Sequence, residues 1–477
     1  MTQLSLSDDK ASLADKVQRV FGSLAIDKQR LPMSQLQKRG VPGYVAEWLL
    51  EMLAPGMGPL TLSEAEHVRE WTAKWIPRPE DQNLIKSRLQ RGDIVKVLTP
   101  VQVEVILKRH RQERVARMPL LGIDDAHISD AQVEQFPDLL RQGMWGIVEL
   151  INTGDGVAII SFKPMQARVD LSLYKEARCA FDFDEWLDLM VLSMGYAPES
   201  FSPQQKILLV MRLLPLVQKS MHLVELAPKG TGKSYVYENI SPHVRLLSGG
   251  NVSPAVLFVN NASGQWGLLA RFAVVVLDEV QTLKFERPKE IVGGLKGFLA
   301  NGRLTRGGMY ETASDCGLVL LANIALDDRQ QPVRYPYVGE LPEFLQETAF
   351  LDRVKGLIPG WELPKLQSKH LACSVGLKSD FFGDVLLALR NDLGPDQLCK
   401  QRIHVEGAAA IRNENAVRDI ASGMTKILFP HGEFTDRDFY RYCVKPAVRL
   451  RQLIWEQLYD LDPEYRQYGR ELKAIVE

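Results

Sequence analysis

Residues 225–242 read ELAPKGTGKSYVYENISP, and the fold turns on how that stretch is understood. Residues 223–226, LVEL, form a short apolar strand, APKGTGKS is a glycine-rich loop, and helix formers follow from Tyr235. A strand, such a loop and a helix in that order make a phosphate cradle, because successive backbone N–H groups converge at the helix N-terminus. Gly230 and Gly232, on either side of Thr231, allow the tight path, since a Cβ there would obstruct the approach to phosphate. In this pattern Lys233 reaches the β and γ phosphates, and the Ser234 hydroxyl ligates Mg²⁺. Ala227 stands where the usual pattern has glycine; a methyl at the strand exit is tolerable while φ stays negative. The stretch predicts a working triphosphate loop with ATP and Mg²⁺ as cofactors.

Three later segments complete the chemistry. FAVVVLDEV (272–280) ends an apolar strand in Asp278-Glu279, 45 positions beyond Lys233. A buried strand has no packing reason to end in two carboxylates. Asp278 is expected to hold Mg²⁺ through water, and Glu279 to polarise the attacking water. GLVLLAN (317–323) ends in Asn323, which could orient that water or touch the γ-phosphate; a turn asparagine is the plainer alternative. TAFLDRVKGLIPGW (348–361) puts Arg353 after an apolar helical stretch. An arginine there would stabilise transition-state charge on a neighbouring subunit's ATP, with a surface ion pair as the bland alternative. Arg418, in ENAVRDIASGMTKIL (414–428), lies on a predicted lid helix and could contact the γ-phosphate as a second sensor.

Working outward, 223–370 alternates strand-like and helix-like segments, the mark of a parallel sheet covered on both faces. Residues 1–85 read as a helical N-terminal domain, with VPGYVAEWLLEMLAP (41–55) as its clearest helix. The texture changes near Gly92. DIVKVL, VQVEVIL, RVARMPLLGI, MWGIVELI and VAIISF are β-type runs separated by TP, NTGDG and KP, so 86–167 predicts a small OB-like β-barrel with a helical insert near 130–142. Residues 168–222 predict a helical linker, and 371–477 a helical lid with C-terminal helices. The 477 residues are 45% hydrophobic and 25% charged, with a net charge near −1, so any basic surface must be local. Five scattered cysteines with no CxxC pair argue for reduced thiols. No signal peptide or membrane span is read, and the expected location is cytoplasmic.

P-loop, Asp-Glu strand, Asn strand, arginine and helical lid, in that order, resemble the AAA+ ATPases over about 223–462. More narrowly, the ELxPxGTGKSxxYxxISP block, LLSGGN (246–251), FLDRVKGLIPGW (350–361) and KSDFFGDVLLALR (378–390) resemble the BrxL family, the Lon-like AAA+ component of BREX phage-defence systems. YVAEWLLEML (44–53), GMWGIVEL (143–150) and FDEWLDLMVLSMG (183–195) extend that resemblance over nearly the whole chain. It implies an architecture similar to minichromosome-maintenance helicases: a DNA-binding tier, an AAA+ ring, and hexamers that can stack as dodecamers around duplex DNA. By position it implies Walker A roles for Lys233 and Ser234, Walker B roles for Asp278 and Glu279, sensor 1 for Asn323, the arginine finger for Arg353 and, more loosely, sensor 2 for Arg418. Other phage-defence proteins are implied partners. The long form of the family continues into a Lon-protease-like domain; the chain reads either as a short form without it or as a piece of a longer protein, and protease activity is not expected.

What hydrolysis drives is a separate matter. KGFLANGRLTRGGMYETASDCG (296–317) predicts a helix and a hairpin around Gly307-Gly308, with Arg303 and Arg306 meeting DNA phosphates without reading sequence. The segment 86–117 holds nine Lys or Arg against three acids, Lys108, Arg109 and Arg111 among them, and suits a DNA-encircling collar. Solvated basic turns, or a basic face balancing acids in 124–138, are the alternatives. Trp266, in NNASGQWGLLARF (260–272), offers a different load: it could grip polypeptide, pack on the ring or stack on a base. The expectation is therefore a ring-forming ATPase that translocates on or remodels duplex DNA. A protein unfoldase and a nucleotide-gated DNA-encircling scaffold are the alternatives.

Overall fold

The computed structural model describes residues 12–108, 111–165, 169–261, 264–306, 310–406 and 411–477. The N-terminal part is built on helices Gly43–Leu53 and Leu62–Trp75. The first buries Val45, Ala46, Leu49 and Leu50 along one face. The second starts at a capping box, in which Thr61 and Glu64 satisfy each other's backbone N–H groups. Ahead of both, strand Ala25–Asp27 pairs antiparallel with Val375–Leu377, tying the first domain to the C-terminal half.

Five strands then close a barrel. They are Val95–Lys108, Arg111–Met118, Ile123–His127, Met144–Asn152 and Val157–Pro164, and in chain order they run 1-2-3-5-4 around the barrel. The strand count matches the five runs read in the sequence, but the division does not. Thr99-Pro100, a turn signal in the sequence, lies inside the first strand, which joins DIVKVL to VQVEVIL. Over 95–101 that strand pairs only with 144–150, and over 102–108 only with 111–117, so proline sits where one edge is unpaired and its missing N–H costs no ladder bond. RVARMPLLGI in turn splits into two strands around Pro119. The barrel begins at Val95, not 86, because helix Gln82–Gln90 continues to the turn at Gly92. Lys86 and Arg88 are consequently helical. The helical insert is Asp130–Gln135 and the 3₁₀ turn Pro137–Leu140.

Helices Phe183–Ser193 and Pro203–Met211 lead into a five-stranded, all-parallel sheet. Its order is Gly356–Pro359, Leu223–Ala227, Gly317–Asn323, Val274–Asp278, Val244–Ser248, or 5-1-4-3-2 in chain order. The fifth strand was not read from the sequence; GLIP is four residues long, with proline as the last, and its partner is the P-loop strand itself. Parallel strands buried on both faces read as continuous apolar runs, and VVVL and GLVLLA are such runs.

The C-terminal part is helical as expected, with helices Ser379–Leu389, Ile411–Leu428 and Lys445–Leu461. It also contains a two-stranded ribbon, Ile403–Glu406 with Lys473–Val476. Val417, Ile420 and Met424 join one side of the sheet's core, and Ile454, Trp455 and Leu458 the other. No helix among the described residues is long and apolar enough to cross a membrane.

Candidate active site

The sheet brings the predicted nucleotide residues to one end. Asn323 and Ala227 are register partners at the tips of adjacent strands, and Asp278 ends the next strand over. Lys233 Nζ donates to Asn323 Oδ1 at 2.7 Å, Ser234 Oγ donates to Asp278 Oδ2 at 2.8 Å, and Asn323 Nδ2 reaches Glu279 Oε1 at 3.5 Å. Lys233 is only 6% exposed. Burial pushes its pKa down, while the carboxylates of Glu225, Asp278 and Glu279 pull it back. Such an ammonium gains from an anion delivered to it.

The loop path is fixed by backbone geometry. Gly230 and Gly232 have φ of +86° and +72°. Gly232 also has no room for a Cβ, which would meet Leu366 Cδ1 at 2.5 Å and Tyr196 Oη at 2.8 Å. A Cβ on Gly230 would meet nothing within 4 Å. Ala227 is fully buried and is not among the residues with positive φ, so its methyl is accommodated as expected. The accommodation comes from Gly360: a Cβ there would lie 2.6 Å from the Ala227 Cβ.

Beneath the loop lies a pair that the sequence reading passed over. Arg212 and Glu225 are both 0% exposed and meet at 2.6 Å. Burial alone would lower the Arg212 pKa, but the charge of Glu225 outweighs it and leaves the guanidinium firmly protonated. Arg212 also donates to the Thr231 carbonyl at 3.3 Å, and Tyr196 Oη donates to the Gly232 carbonyl at 2.9 Å. The signal was available: a lone glutamate inside LVEL needs a buried cation. Glu279 has φ +47°, a left-handed conformation that is strained for a non-glycine residue. It turns the chain sharply out of the strand, and its N–H donates to Asp278 Oδ1 at 2.9 Å.

ATP and Mg²⁺ fit this arrangement. The left-handed glycines of the loop, the buried Lys233 and the Ser234 hydroxyl bonded to Asp278 would supply a phosphate cradle and two oxygens for the metal. That oxygen set, completed by phosphates and water, is the usual mode for Mg²⁺.

Arg353 stands at the other end of the sheet. It precedes Gly356, which pairs with Leu223, whereas the P-loop follows Ala227. Five strand residues of about 3.3 Å each separate the two ends, beyond an arginine's reach. Arg353 donates to the Ala349 carbonyl, and its Nε is buried with no partner among the described residues. It shares a cleft of about 440 Å³ with Lys355, Arg412 and Asp419. Arg412, also missed in the sequence, is half-exposed and pairs with Asp352. Arg418 does not approach the phosphate loop of its own chain. Its Nε donates to the Ile403 carbonyl at 2.9 Å and it pairs with Glu414 at 2.6 Å. Its neighbour Asp419 is bound to Lys355, at the Arg353 end of the sheet, because the helix runs along that end.

The candidate DNA contacts fare unevenly. The hairpin Arg303–Arg306 with Tyr310–Ala313 is present, and its tip, 307–309, lies outside the described residues. Arg303 is exposed and faces Glu311 at 3.5 Å. Of Arg306 only the backbone pairing with Tyr310 is described. Lys108 pairs in register with Arg111 at the end of a barrel hairpin, and Arg109 lies outside the described residues. Part of the barrel's basic excess is neutralised: Lys96 meets Glu149 at 3.3 Å, Arg117 meets Glu104 at 2.5 Å, and Arg114 pairs with Asp130. Trp266 is half-buried, pairs with Val259 on a short ribbon, and packs on the core of the α/β module.

Fold and site together are those of a P-loop ATPase. Residues 157–471 match the family described as "Lon-like protease BrxL-like, ATPase domain", and residues 19–151 match "BREX system Lon protease-like protein BrxL N-terminal". The chain belongs to the BrxL family. It is 30% identical over 426 residues to the Lon-like protease BrxL of Escherichia coli O9:H4 (strain HS), covering 88% of this chain and 60% of that one. To the Lon-like protease BrxL of Bacillus cereus (strain H3081.97) it is 29% identical over 428 residues, covering 88% and 62%. The chain thus spans about three-fifths of the length of these relatives. A full-length MCM homolog from Methanopyrus kandleri, known from crystal structure analysis, aligns over 89% of this chain and 100% of its own, at 12% identity and a TM-score of 0.41.

Proposed function

We propose that this chain is a ring-forming AAA+ ATPase that binds duplex DNA, through its pore hairpin and an OB-like barrel tier, and translocates on or remodels it in BREX-type phage defence. The observation that carries the ring is the placement of Arg353 at the opposite end of the sheet from its own P-loop. An arginine with an unpartnered buried Nε, in a cleft with Lys355, Arg412 and Arg451, can serve a triphosphate only if a second copy presents one.

Within such a joint each residue has a task. Lys233 neutralises the β and γ phosphates, exchanging its bond to Asn323 for a stronger, charge-assisted one. Asn323, released, holds the attacking water beside Glu279, whose carboxylate accepts its proton. Ser234 and Asp278 would hold Mg²⁺, which would supply charge neutralisation on the phosphates. Arg353 from the neighbour, with Arg412 beside it, stabilises the charge that develops on the transferred group, a contribution of about 10³–10⁵ in rate where such arginines act.

The load is tested by turnover. Duplex DNA should stimulate ATP hydrolysis, with the stimulation lost at high salt and in the Arg303→Gln, Arg306→Gln double variant. Stimulation by unfolded protein instead, lost in Trp266→Ala, would establish the unfoldase. Tight DNA binding without turnover would leave the scaffold.

A further inference from the structure

Between the barrel and the α/β module lies a cleft of about 660 Å³, walled by Gln102 and Trp145 from the barrel and by Arg245 and Phe272 from the module. Arg271 enters it from the short helix before the Asp-Glu strand. Arg245 lies on the edge strand Val244–Ser248 and is exposed. No carboxylate forms an ion pair with either arginine among the described residues; Arg271 makes a long hydrogen bond, 3.4 Å, to the Arg141 carbonyl and lies over the Phe272 ring. The acid on the cleft wall is Glu238, whose carboxyl is pushed toward its neutral form by burial and by Asp278. Glu104, the nearest other carboxylate, is engaged by Arg117 and by Gln265.

Two guanidiniums left facing one hollow repel each other unless an anion sits between them. Burial and the neighbouring Arg245 charge depress the Arg271 pKa, against a smaller pull from Glu104, so the repulsion is felt in the folded chain. The hollow is not closed. A second one, of about 570 Å³, shares Gln142, Arg271 and Phe272 with it and runs to Gly302 and Ala313, the feet of the Arg303–Ala313 hairpin.

We infer that this waist cleft binds backbone phosphates of duplex DNA, with Arg245 and Arg271 as a paired clamp that continues the hairpin's track toward the barrel. The inference rests on the DNA-binding function proposed for the chain and gives it an address that sequence did not suggest. Guanidiniums fit phosphate oxygens bidentately, and contacts of this kind fix register on DNA without reading bases.

The test is a titration of the full chain with a fluorescent duplex at several salt concentrations. The Arg245→Gln, Arg271→Gln double variant should flatten the dependence of log affinity on log salt by about 0.9 for each phosphate it no longer neutralises. The paired Arg→Lys variant should restore most of the slope, while melting temperature and ring size stay those of the parent. An unchanged slope in the Gln variant overturns the inference. So does a variant whose rings fall apart while DNA affinity per ring is kept, which would assign the cleft to a neighbouring subunit's acids. Loss of affinity for inorganic phosphate with an unchanged DNA slope would assign it to a small anion and overturn it equally. Failure of the parent chain to bind duplex at any salt sinks the functional reading itself, and is seen without any variant.

Discussion

Ala227 and Gly360 divide between them what one glycine does in the usual loop. The methyl at the strand exit is tolerated because the residue facing it has no side chain. The sequence showed that alanine was there and that it could be borne, but not which residue would yield, since Gly360 is 133 positions away. The positions of Asp278, Glu279 and Asn323 were legible because they end apolar runs, where a polar group needs a reason, and those of Lys233 and Ser234 because they close a glycine-rich loop. The bonds among them were not: Lys233 resting on Asn323 depends on register between strands 1 and 4. Glu279 is the sharpest case for a test. Glu279→Gln keeps the shape and the hydrogen bond to Asn323 but cannot take a proton. It should bind ATP as the parent does and hydrolyse it at least about 10²-fold more slowly, as expected for loss of a general base. Turnover within a factor of two of the parent would remove Glu279 from the chemistry.

At the scale of elements, the segment that carries Arg353 is held by a helix far along the chain. Arg451, on Lys445–Leu461, is 0% exposed and donates to Asn413 Oδ1 at 2.7 Å, to Asp352 Oδ1 at 3.1 Å and to the carbonyls of Asp352 and Val354, on both sides of Arg353. Burial lowers the Arg451 pKa to about 10, against the pull of Asp352, so it stays charged at neutral pH. Removing it leaves Asp352 short of a partner and frees the peptide that carries Arg353. Arg451→Met should cost about 3–5 kcal/mol of stability in a denaturant melt. In rings that still assemble at low temperature it should lower kcat while leaving ATP affinity nearly intact. A loss confined to ATP affinity would contradict this placement. Neither Arg451 nor Arg412 could be picked out from sequence, since an arginine on an amphipathic helix looks the same whether it faces water or a buried carboxylate. Arg418 was preferred for its position on a clear helix, and the helix is there; its direction along the sheet was what pattern could not supply. The same blindness hid the fifth strand: four residues ending in proline carry no period.

Across the whole molecule, the N-terminal domain meets the C-terminal helices at a buried charged pair and the nucleotide module at a hydrogen bond. Lys28 and Glu47 pair at 2.7 Å with 3% and 2% exposure, and Glu47 accepts the Ser379 N–H at 2.6 Å. The Gly43 N–H donates to Asn239 Oδ1 at 3.1 Å, on the P-loop helix, where a Cβ on Gly43 would lie 2.6 Å from that oxygen. A tier that binds DNA would therefore pull directly on the helix that follows the glycine-rich loop. Stability should depend on pH through His222, which precedes the P-loop strand. It is 1% exposed, its Nδ1 accepts the Leu318 N–H, and burial holds its pKa well below the ordinary 6.5. The native ring stays neutral while the unfolded chain takes up a proton below pH 6.5, so this contribution is present above 6.5 and is lost as pH falls, by up to about 1.4 kcal/mol per pH unit. Melting curves between pH 7 and 5 should show a shallower decline in His222→Gln than in the parent; equal declines would mean that His222 is not buried neutral.

The joint between two copies is the claim on which the rest depends, and mixing tests it. Lys233→Ala lacks the cradle and Arg353→Ala lacks the finger, so each alone should be nearly inactive. Combined in equal amounts and allowed to exchange subunits, they should regain turnover, because about one interface in four would join an intact loop to an intact arginine. No recovery on mixing, with exchange of subunits demonstrated, would show that Arg353 does not serve a neighbour's site.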